Sequence, residues 1–213
     1  MRTEALIDML ATGADAVEPK TWVQRYTLAI VFGTLGAFVL MLCTIGLRAD
    51  ISVAVRLPMF WLKLGFAFSV AGASLLVAMR LSRPGVRLGL APGALPLPVL
   101  GMWSAAAVAL VAAGPERAMT LVLGTTWAVC PFLIAMLSAP IFIAVLWAMR
   151  GLAPTRLRLA GASAGLLAGS TAAIVYSLHC PEMDAPFLGV WYVIGMLAPA
   201  TVGAAIGPRI LRW

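Results

Sequence analysis

"LRLAGASAGLLAGSTAAIVYSL", residues 157–178, contains a single charge, Arg158, and is dominated by apolar and small residues. A membrane-spanning helix needs about 20 predominantly apolar residues, so this stretch is long enough to cross a bilayer. Gly161, Gly165 and Gly169 are spaced four residues apart and lie on one face of a helix. Because small residues let a neighbouring helix approach closely, the stretch predicts a transmembrane helix packed inside a bundle.

Five further stretches have similar length and hydropathy, so the sequence predicts an all-α polytopic membrane protein with six transmembrane helices. The composition agrees, because 62% of the 213 residues are hydrophobic and 11% are charged, whereas soluble domains contain about 25% charged residues. These values exclude a soluble enzyme. The six predicted spans are Tyr26 to Leu47, Leu57 to Met79, Pro92 to Gly114, Trp127 to Met149, Leu157 to Leu178 and Phe187 to Ile206.

Small residues form similar rows in two other predicted spans. Gly65, Ser69 and Ala73 share one face of the second span, and Gly203 and Gly207 share one face of the sixth. We interpret both rows as packing seams, where a neighbouring helix lies close.

Charged side chains are rare within the predicted spans. Lys63 lies about one turn from the outer end of the second span, so we expect it to snorkel to the membrane surface. No carboxylate lies in the middle of a span, whereas ion and proton transporters usually keep one there. A small transporter is therefore a weaker hypothesis for this chain.

The first 25 residues form the only polar segment of any length. Acidic residues interrupt this segment, a pattern unlike a signal peptide, so we expect it to remain on the mature protein. We divide the chain into a cytoplasmic amino-terminal segment, residues 1–25, and a transmembrane domain, residues 26–213. The acidic residues are Glu4, Asp8, Asp15 and Glu18.

The basic residues predict the orientation of the six spans. Eleven Lys and Arg residues lie on the side that holds both chain ends, and four lie on the other side. Since cytoplasmic loops are enriched in Lys and Arg, we expect both termini in the cytoplasm of a bacterium, with the spans in its inner membrane. The basic residues are spread over separate loops, which argues against direct binding of nucleic acid.

Three cysteines fall near the predicted outer ends of the spans. Cys130 ("WAVCP") and Cys180 ("LHCPE") each precede a proline at a helix end, so we expect them to act as partners. A periplasmic location is oxidising, and we expect the thiols there to meet oxidants and metals directly. We interpret Cys43 as a packing residue.

The cysteine pair has more than one chemical interpretation. It can form a structural disulfide that only stabilises the bundle. With His179 and Glu182 it can complete a site for zinc or cadmium, or His179 can modulate the reactivity of a thiol. A membrane thiol-disulfide oxidoreductase is the alternative function, and the absence of a CxxC motif weakens it.

The amino-terminal segment contains the pattern of a short helix. Thr3 can cap it, Glu4 favours its positive end and Gly13 can end it. Isolated helices of this length are marginal in water, so we expect it to dock on a protein partner that offers an apolar groove with a basic rim. The apolar stripe of this helix consists of Leu6, Ile7, Met9 and Leu10.

Several stretches resemble the NrsF-like family of bacterial inner-membrane anti-sigma factors. They are the "LIDMLA" amino end, the "WAVCP" and "LHCPE" cysteines, "APTRLRLAGASAGLLAG" and the closing "FLGVWYVIGMLAPATVGAAIGPRILRW". The resemblance implies a non-enzymatic regulator that needs no cofactor and holds an extracytoplasmic-function (ECF) sigma factor through its cytoplasmic amino end. It also implies that Cys130 and Cys180 are sensing thiols, which release sigma under oxidant or heavy-metal stress. The sequence leaves the oligomeric state open.

Overall fold

The structure, a computed structural model, describes residues 3–12 and 21–212. Four side chains in this range are also outside the description, those of Leu6, Asp8, Leu10 and Thr21. The sequence predictions that concern Arg2, Gly13, Asp15, Glu18, Lys20 and Trp213 therefore lie outside the described residues.

The described residues form helices joined by turns, and six helices are long and apolar enough to cross a membrane. The predicted fold class is therefore confirmed, and each predicted span boundary lies within four residues of the observed one. In order, the spans are Trp22–Thr44, Pro58–Leu81, Ala91–Ala113, Cys130–Arg150, Leu157–Tyr176 and Ala185–Ile210.

Short helices connect spans on one side of the bundle, and another short helix precedes the first span. Ile51–Ala54 links the first two spans, and Pro115–Leu123 links the third and fourth. The amino-terminal helix runs over Thr3–Thr12, where the sequence predicted it. Ile7 and Met9 on this helix are each 58% exposed, so these two apolar side chains are accessible to a partner.

The fifth span is the most buried of the six and packs against the second, fourth and sixth. Its glycines allow this central position. A Cβ placed on Gly161 would lie 2.0 Å from the carbonyl oxygen of Gly203, and one on Gly165 would lie 2.0 Å from that of Pro199. The backbones of the fifth and sixth spans therefore touch, which confirms the seam predicted from these glycines.

The seam predicted in the second span is wrong at Gly65 and Ser69, whereas Ala73, the third residue of the row, is buried. Gly65 and Ser69 are exposed on the outside of the bundle, and nothing lies within 4 Å of a Cβ built on Gly65. The close approach that the sequence analysis missed is in the first span, where a Cβ on Gly33 would lie 2.8 Å from the Cα of Ile141 in the fourth span.

Successive spans run in opposite directions, so the bundle has two distinct ends. We call one the thiol end, because the fourth span begins there at Cys130 and the fifth ends there just before Cys180. We call the other the terminal end, because the first span begins there and the sixth ends there.

Candidate functional site at the thiol end

Two cysteines that lie far apart in the sequence meet at the thiol end. Cys130 is the first residue of the fourth span, and its backbone N–H donates to the carbonyl of Thr126 over 2.9 Å. The N–H of Cys180 donates to the carbonyl of Tyr176 over 3.0 Å, directly after the fifth span. Both cysteines are free thiols, and their side chains interact with each other.

The expectation that these thiols meet oxidants and metals directly is wrong for this conformation. Cys130 and Cys180 are both 0% exposed, because the fourth and fifth spans and the loop after Cys180 close around the pair. The interpretation of Cys43 as a packing residue is also wrong, since this cysteine is exposed on the outer surface of the first span. The exposure of the three cysteines is thus the reverse of the prediction: Cys130 and Cys180 are buried, and Cys43 is exposed.

Lys63 does not snorkel to the surface as the sequence analysis predicted. Its side chain is completely buried, and its ammonium donates to the carbonyl of Cys180 over 2.9 Å and to that of Glu182 over 3.0 Å. The ammonium also lies 5.3 Å from the ring centroid of Tyr192. Carbonyl oxygens and an aromatic face replace water around the charge, which is what a buried cation requires.

The loop that holds Cys180 is also fastened to the connection between the first two spans. Arg48 donates through its backbone N–H to the carbonyl of Leu178 and through Nη1 to that of Cys180, over 3.3 Å in both cases. The ring of His179 donates through Nδ1 to the carbonyl of Gly46 over 3.0 Å. His179 therefore holds the loop in place, and this bond turns its Nδ1 away from the thiols.

Glu182 connects the two segments that carry the cysteines. Its carboxylate accepts hydrogen bonds from the backbone N–H of Thr125 over 2.7 Å and from the hydroxyl of Thr125 over 2.6 Å, just before the fourth span. Gly124 makes this contact sterically feasible, because a Cβ there would lie 2.8 Å from the Glu182 carboxyl carbon. Glu182 thus fixes the position of Cys130 relative to Cys180.

Aromatic side chains form the inner wall of the site, and sequence reasoning missed them. The rings of Tyr176 and Tyr192 lie 5.9 Å apart, and both residues are buried. Tyr192 ends a π-helical turn, Leu188–Tyr192, of the type often found at functional sites. Its hydroxyl is buried and lies beside the Cys180 sulfur.

The surroundings of Cys180 favour its thiolate. The hydrogen bond with Cys130 lowers the pKa of the Cys180 thiol to about 5, against the opposing effect of burial, and the positive charge of Lys63 acts in the same direction as that bond. A thiolate is the nucleophilic form of cysteine. Within the pair, Cys180 is therefore the sulfur with more thiolate character.

The structure does not assemble the four side chains proposed for a zinc or cadmium site. The two thiols are together, but His179 and Glu182 are bound to Gly46 and Thr125. Within residues 3–12 and 21–212, no three His, Cys, Asp or Glu side chains gather as metal ligands would. Two sulfurs alone remain available to a soft cation.

Fold and site together define a class of protein. It is a six-helix membrane bundle with an exposed amphipathic helix before the first span and a closed thiol pair at the end away from that helix. A family model described as "Negative regulator of sigma F" matches residues 10–213. The chain belongs to this family, NrsF, whose role is regulatory.

Two relatives align with the whole chain. The "Probable anti-sigma-F factor NrsF" of Azospira oryzae is 56% identical over 213 residues, which is 100% of both chains. The "Anti-sigma-F factor NrsF" of Caulobacter vibrioides is 37% identical over 217 residues, also 100% of both chains. No solved structure matches the chain.

Proposed function

We propose that this chain is an inner-membrane anti-sigma factor that binds an ECF sigma factor through its amino-terminal helix and releases it when the Cys130–Cys180 pair reacts. The observation that supports this most is the pair itself: two free thiols in contact, one of them favoured as thiolate. The family to which the chain belongs supplies the class of partner.

The amino-terminal helix has the features of a partner-binding segment. Thr3–Thr12 leaves Ile7 and Met9 exposed. An exposed apolar stripe of this kind docks into an apolar groove of another protein. Glu4 in the first turn adds an acidic group that suits a basic rim.

Oxidation is the reaction that the pair favours most. The two thiols lose two protons and two electrons and form a disulfide, while one molecule of hydrogen peroxide accepts them and becomes two molecules of water. A soft cation such as cadmium would instead bridge the two thiolates, with release of protons. Because His179 and Glu182 have other partners, the bridge would use the two sulfurs without them.

The fourth span offers a direct route from the thiols to the sigma-binding helix. Cys130 is its first residue, and near its other end Trp147 lies 5.9 Å from the Arg25 guanidinium carbon. Gly151, just beyond, lies so close to that guanidinium that a Cβ on the glycine would be 1.4 Å from Nη1. Arg25 lies near the start of the first span, next to the amino-terminal segment. A shift of the fourth span therefore moves Arg25 and changes the position from which that segment extends.

The switch needs a sizeable difference in free energy between two arrangements of the bundle. Moving a population from 1:99 to 99:1 takes about 5.5 kcal/mol of differential stabilisation. A disulfide typically stabilises by about 2–4 kcal/mol, which is less than this difference. The rest has to come from breaking contacts around the buried pair that stabilise the resting arrangement. The hydrogen bonds of Lys63, Arg48 and Glu182 to the thiol-end loops are such contacts.

A membrane oxidoreductase is the competing function, because a reactive thiol beside a second thiol also suits disulfide exchange. Such an enzyme passes electrons onward through another thiol pair or a cofactor. The chain contains three cysteines, and the third, Cys43, is exposed on the first span. The regulator is therefore the better-supported function.

The location follows from the charge pattern. Eleven of the basic residues lie on the side of the chain ends, which supports cytoplasmic termini in a bacterial inner membrane. In this orientation the amino-terminal helix faces the cytoplasm, where sigma factors act, and the thiol pair faces the periplasm.

Co-purification of the sigma factor with the full-length chain tests the binding half of this proposal. The double variant Leu6→Asp with Leu10→Asp should reduce the captured sigma factor by about ten-fold or more, because two charges in an apolar contact oppose docking. The matched control is Ala11→Asp with Thr12→Asp, which adds the same charge on another side of the helix. Equal capture by both double variants would place the sigma contact elsewhere.

A further inference from the structure

Arginine side chains converge at the terminal end. They come from the last turn of the second span, from the loop after it and from the loop after the fourth span. They line a cleft of about 220 Å³ together with Gly85 and Thr155. Within the described part of the chain, the single side-chain ion pair is Arg48 with Asp50 at the opposite end, so this cluster has no carboxylate partner there. The four arginines are Arg80, Arg83, Arg87 and Arg156.

The protein's own contacts hold two of these arginines in place. Arg80 donates through Nη1 to the carbonyl of Leu88, and Gly89, with φ of +53°, brings the turn against this guanidinium. Arg83 lies over the ring of Trp22, with its guanidinium carbon 4.5 Å from the centroid. The Nε of Arg83 is buried and has no hydrogen-bond partner among the described residues. A guanidinium with an unused buried donor is prepared for an acceptor that residues 3–12 and 21–212 do not supply.

The other two arginines complete the cleft from the surface. Arg87 and Arg156 are exposed, one on the loop after the second span and the other just before the fifth. Holding four like charges around so small a volume is unfavourable unless an anion joins them. Guanidinium groups bind phosphate oxygens in pairs of parallel hydrogen bonds, so a phosphate group matches this arrangement.

The position of the cleft favours a phosphate with acyl chains attached. Arg80 is the penultimate residue of the second span, Pro58–Leu81, so the cleft lies at the level where the lipid headgroups begin. Val86 and Leu90 beside it are 41% and 93% exposed, and they provide apolar surface next to the cations. Basic pockets between transmembrane helices at this level are typical sites for anionic headgroups.

We propose that Arg80, Arg83, Arg87 and Arg156 form a binding site for the phosphate of an anionic phospholipid headgroup at the terminal end of the bundle. Lipid binding at this site requires neither the thiol pair nor a bound sigma factor. Because Arg83 stacks on Trp22, the first residue of the first span, a lipid bound there also fixes the point at which the amino-terminal segment leaves the membrane.

The test measures lipid retention by the purified full-length protein in detergent, by native mass spectrometry, at matched concentrations of phosphatidylglycerol and phosphatidylcholine. The proposal predicts that the anionic lipid is retained in preference to the zwitterionic one. The double variant Arg87→Gln with Arg156→Gln should weaken binding of phosphatidylglycerol on the order of ten-fold, since both side chains are exposed and their loss leaves the fold intact.

The matched control is Arg209→Gln with Arg212→Gln, which removes the same charge from exposed positions at the same end but outside the cleft. It should change lipid retention by less than about two-fold, because surface charge alone is screened. Equal losses in the two double variants would overturn the site, as would equal retention of the two lipids by the unaltered protein.

Inorganic phosphate distinguishes a lipid headgroup from the free ion. At millimolar concentration it should displace little phosphatidylglycerol, because the acyl chains add contacts that the free ion lacks. Displacement at micromolar concentration would overturn the lipid assignment. The variant Arg87→Lys with Arg156→Lys restores the charge and should recover part of the lost affinity, and retention no better than that of the Gln pair would overturn a role for these charges.

Discussion

The two ends of the bundle use basic residues in opposite ways. At the thiol end the side chain of Lys63 is completely buried, and its ammonium donates hydrogen bonds to the carbonyls of Cys180 and Glu182. At the terminal end Arg87 and Arg156 are exposed around a cleft without a carboxylate among the described residues. A buried, fully bonded charge holds structure in place, whereas an exposed, unpaired one is free to bind a ligand.

In the proposed mechanism, the reactive thiols and the sigma-binding helix belong to opposite ends of the bundle. The thiols are enclosed at one end, and the exposed amino-terminal helix precedes the first span at the other. The fourth span and the seam between the fifth and sixth run between the two ends. Changes to these connecting parts, and to each end alone, test how far the two regions depend on each other.

The largest effect is expected at the seam that joins both ends. Gly161→Val should lower the abundance of the protein in membranes by about ten-fold or more, because a side chain there meets the carbonyl oxygen of Gly203 and the helices must separate. Gly65→Val, in the open space outside the second span, should leave abundance within about two-fold. Quantitative immunoblots of membrane fractions compare them, and similar losses would mean that the seam has no special role.

A substitution at Lys63 should loosen the thiol end without affecting the terminal end. Lys63→Met leaves the carbonyl of Glu182 without its donor, which costs about 1–3 kcal/mol. Amide hydrogen exchange at residues 179 and 180 should therefore accelerate by roughly ten-fold or more. The control Arg56→Met removes an exposed cation at the same end and should not change exchange. Unchanged exchange in Lys63→Met would show that this lysine does not hold the loop.

The charge state of Cys180 can be checked by the pH dependence of its alkylation. A thiol of ordinary pKa should react about 75-fold faster at pH 8 than at pH 6, because its thiolate fraction rises over this range. Since the hydrogen bond with Cys130 lowers the pKa of Cys180 to about 5, its thiolate is already formed at pH 6 and its rate should stay nearly constant. Peptide mass spectrometry of the Cys43→Ser protein, with free cysteine as reference, measures both rates. A rise that matches the reference would rule out the thiolate.

The smallest effect is expected where the fourth span meets the base of the amino-terminal segment. Gly151→Ala displaces the Arg25 guanidinium, which is the flexible end of a side chain, so abundance should not change. The oxidant concentration that half-releases the sigma factor should shift by a few-fold, because this contact couples the two ends. Sigma-dependent transcription measured over an oxidant series, with Gly65→Ala as control, detects the shift. Identical curves would exclude this route.

The sequence predicted those parts of the molecule that depend on local composition. Each span is a continuous apolar run, and the glycines at 161, 165 and 169 mark a close helix contact by their spacing alone. The row at Gly65 has the same spacing but faces outward, because small residues that face lipid look the same in a sequence as small residues that face a helix.

The site itself depended on contacts between distant segments. Lys63 is buried because a loop 117 residues away supplies its acceptor, the carbonyl of Cys180, and nothing in its own span indicates this. Tyr192 reaches the thiols through a π-helical turn that has no clear sequence pattern. The arginines at 83 and 156 were used to predict orientation, whereas their convergence follows from how two loops fold together.

The central claim is that Cys130 and Cys180 control sigma release, and one measurement tests it directly. Sigma factor co-purified with the membrane protein is quantified before and after peroxide or cadmium treatment, together with protein abundance, for the unaltered chain and for Cys130→Ser and Cys180→Ser. The account predicts that the unaltered chain loses most of its sigma factor on treatment, whereas both Ser variants keep it at normal abundance and Cys43→Ser behaves like the unaltered chain. Ser variants that disappear from the membrane and free sigma without treatment would show a purely structural pair, and variants that respond like the unaltered chain would remove the thiols from the mechanism.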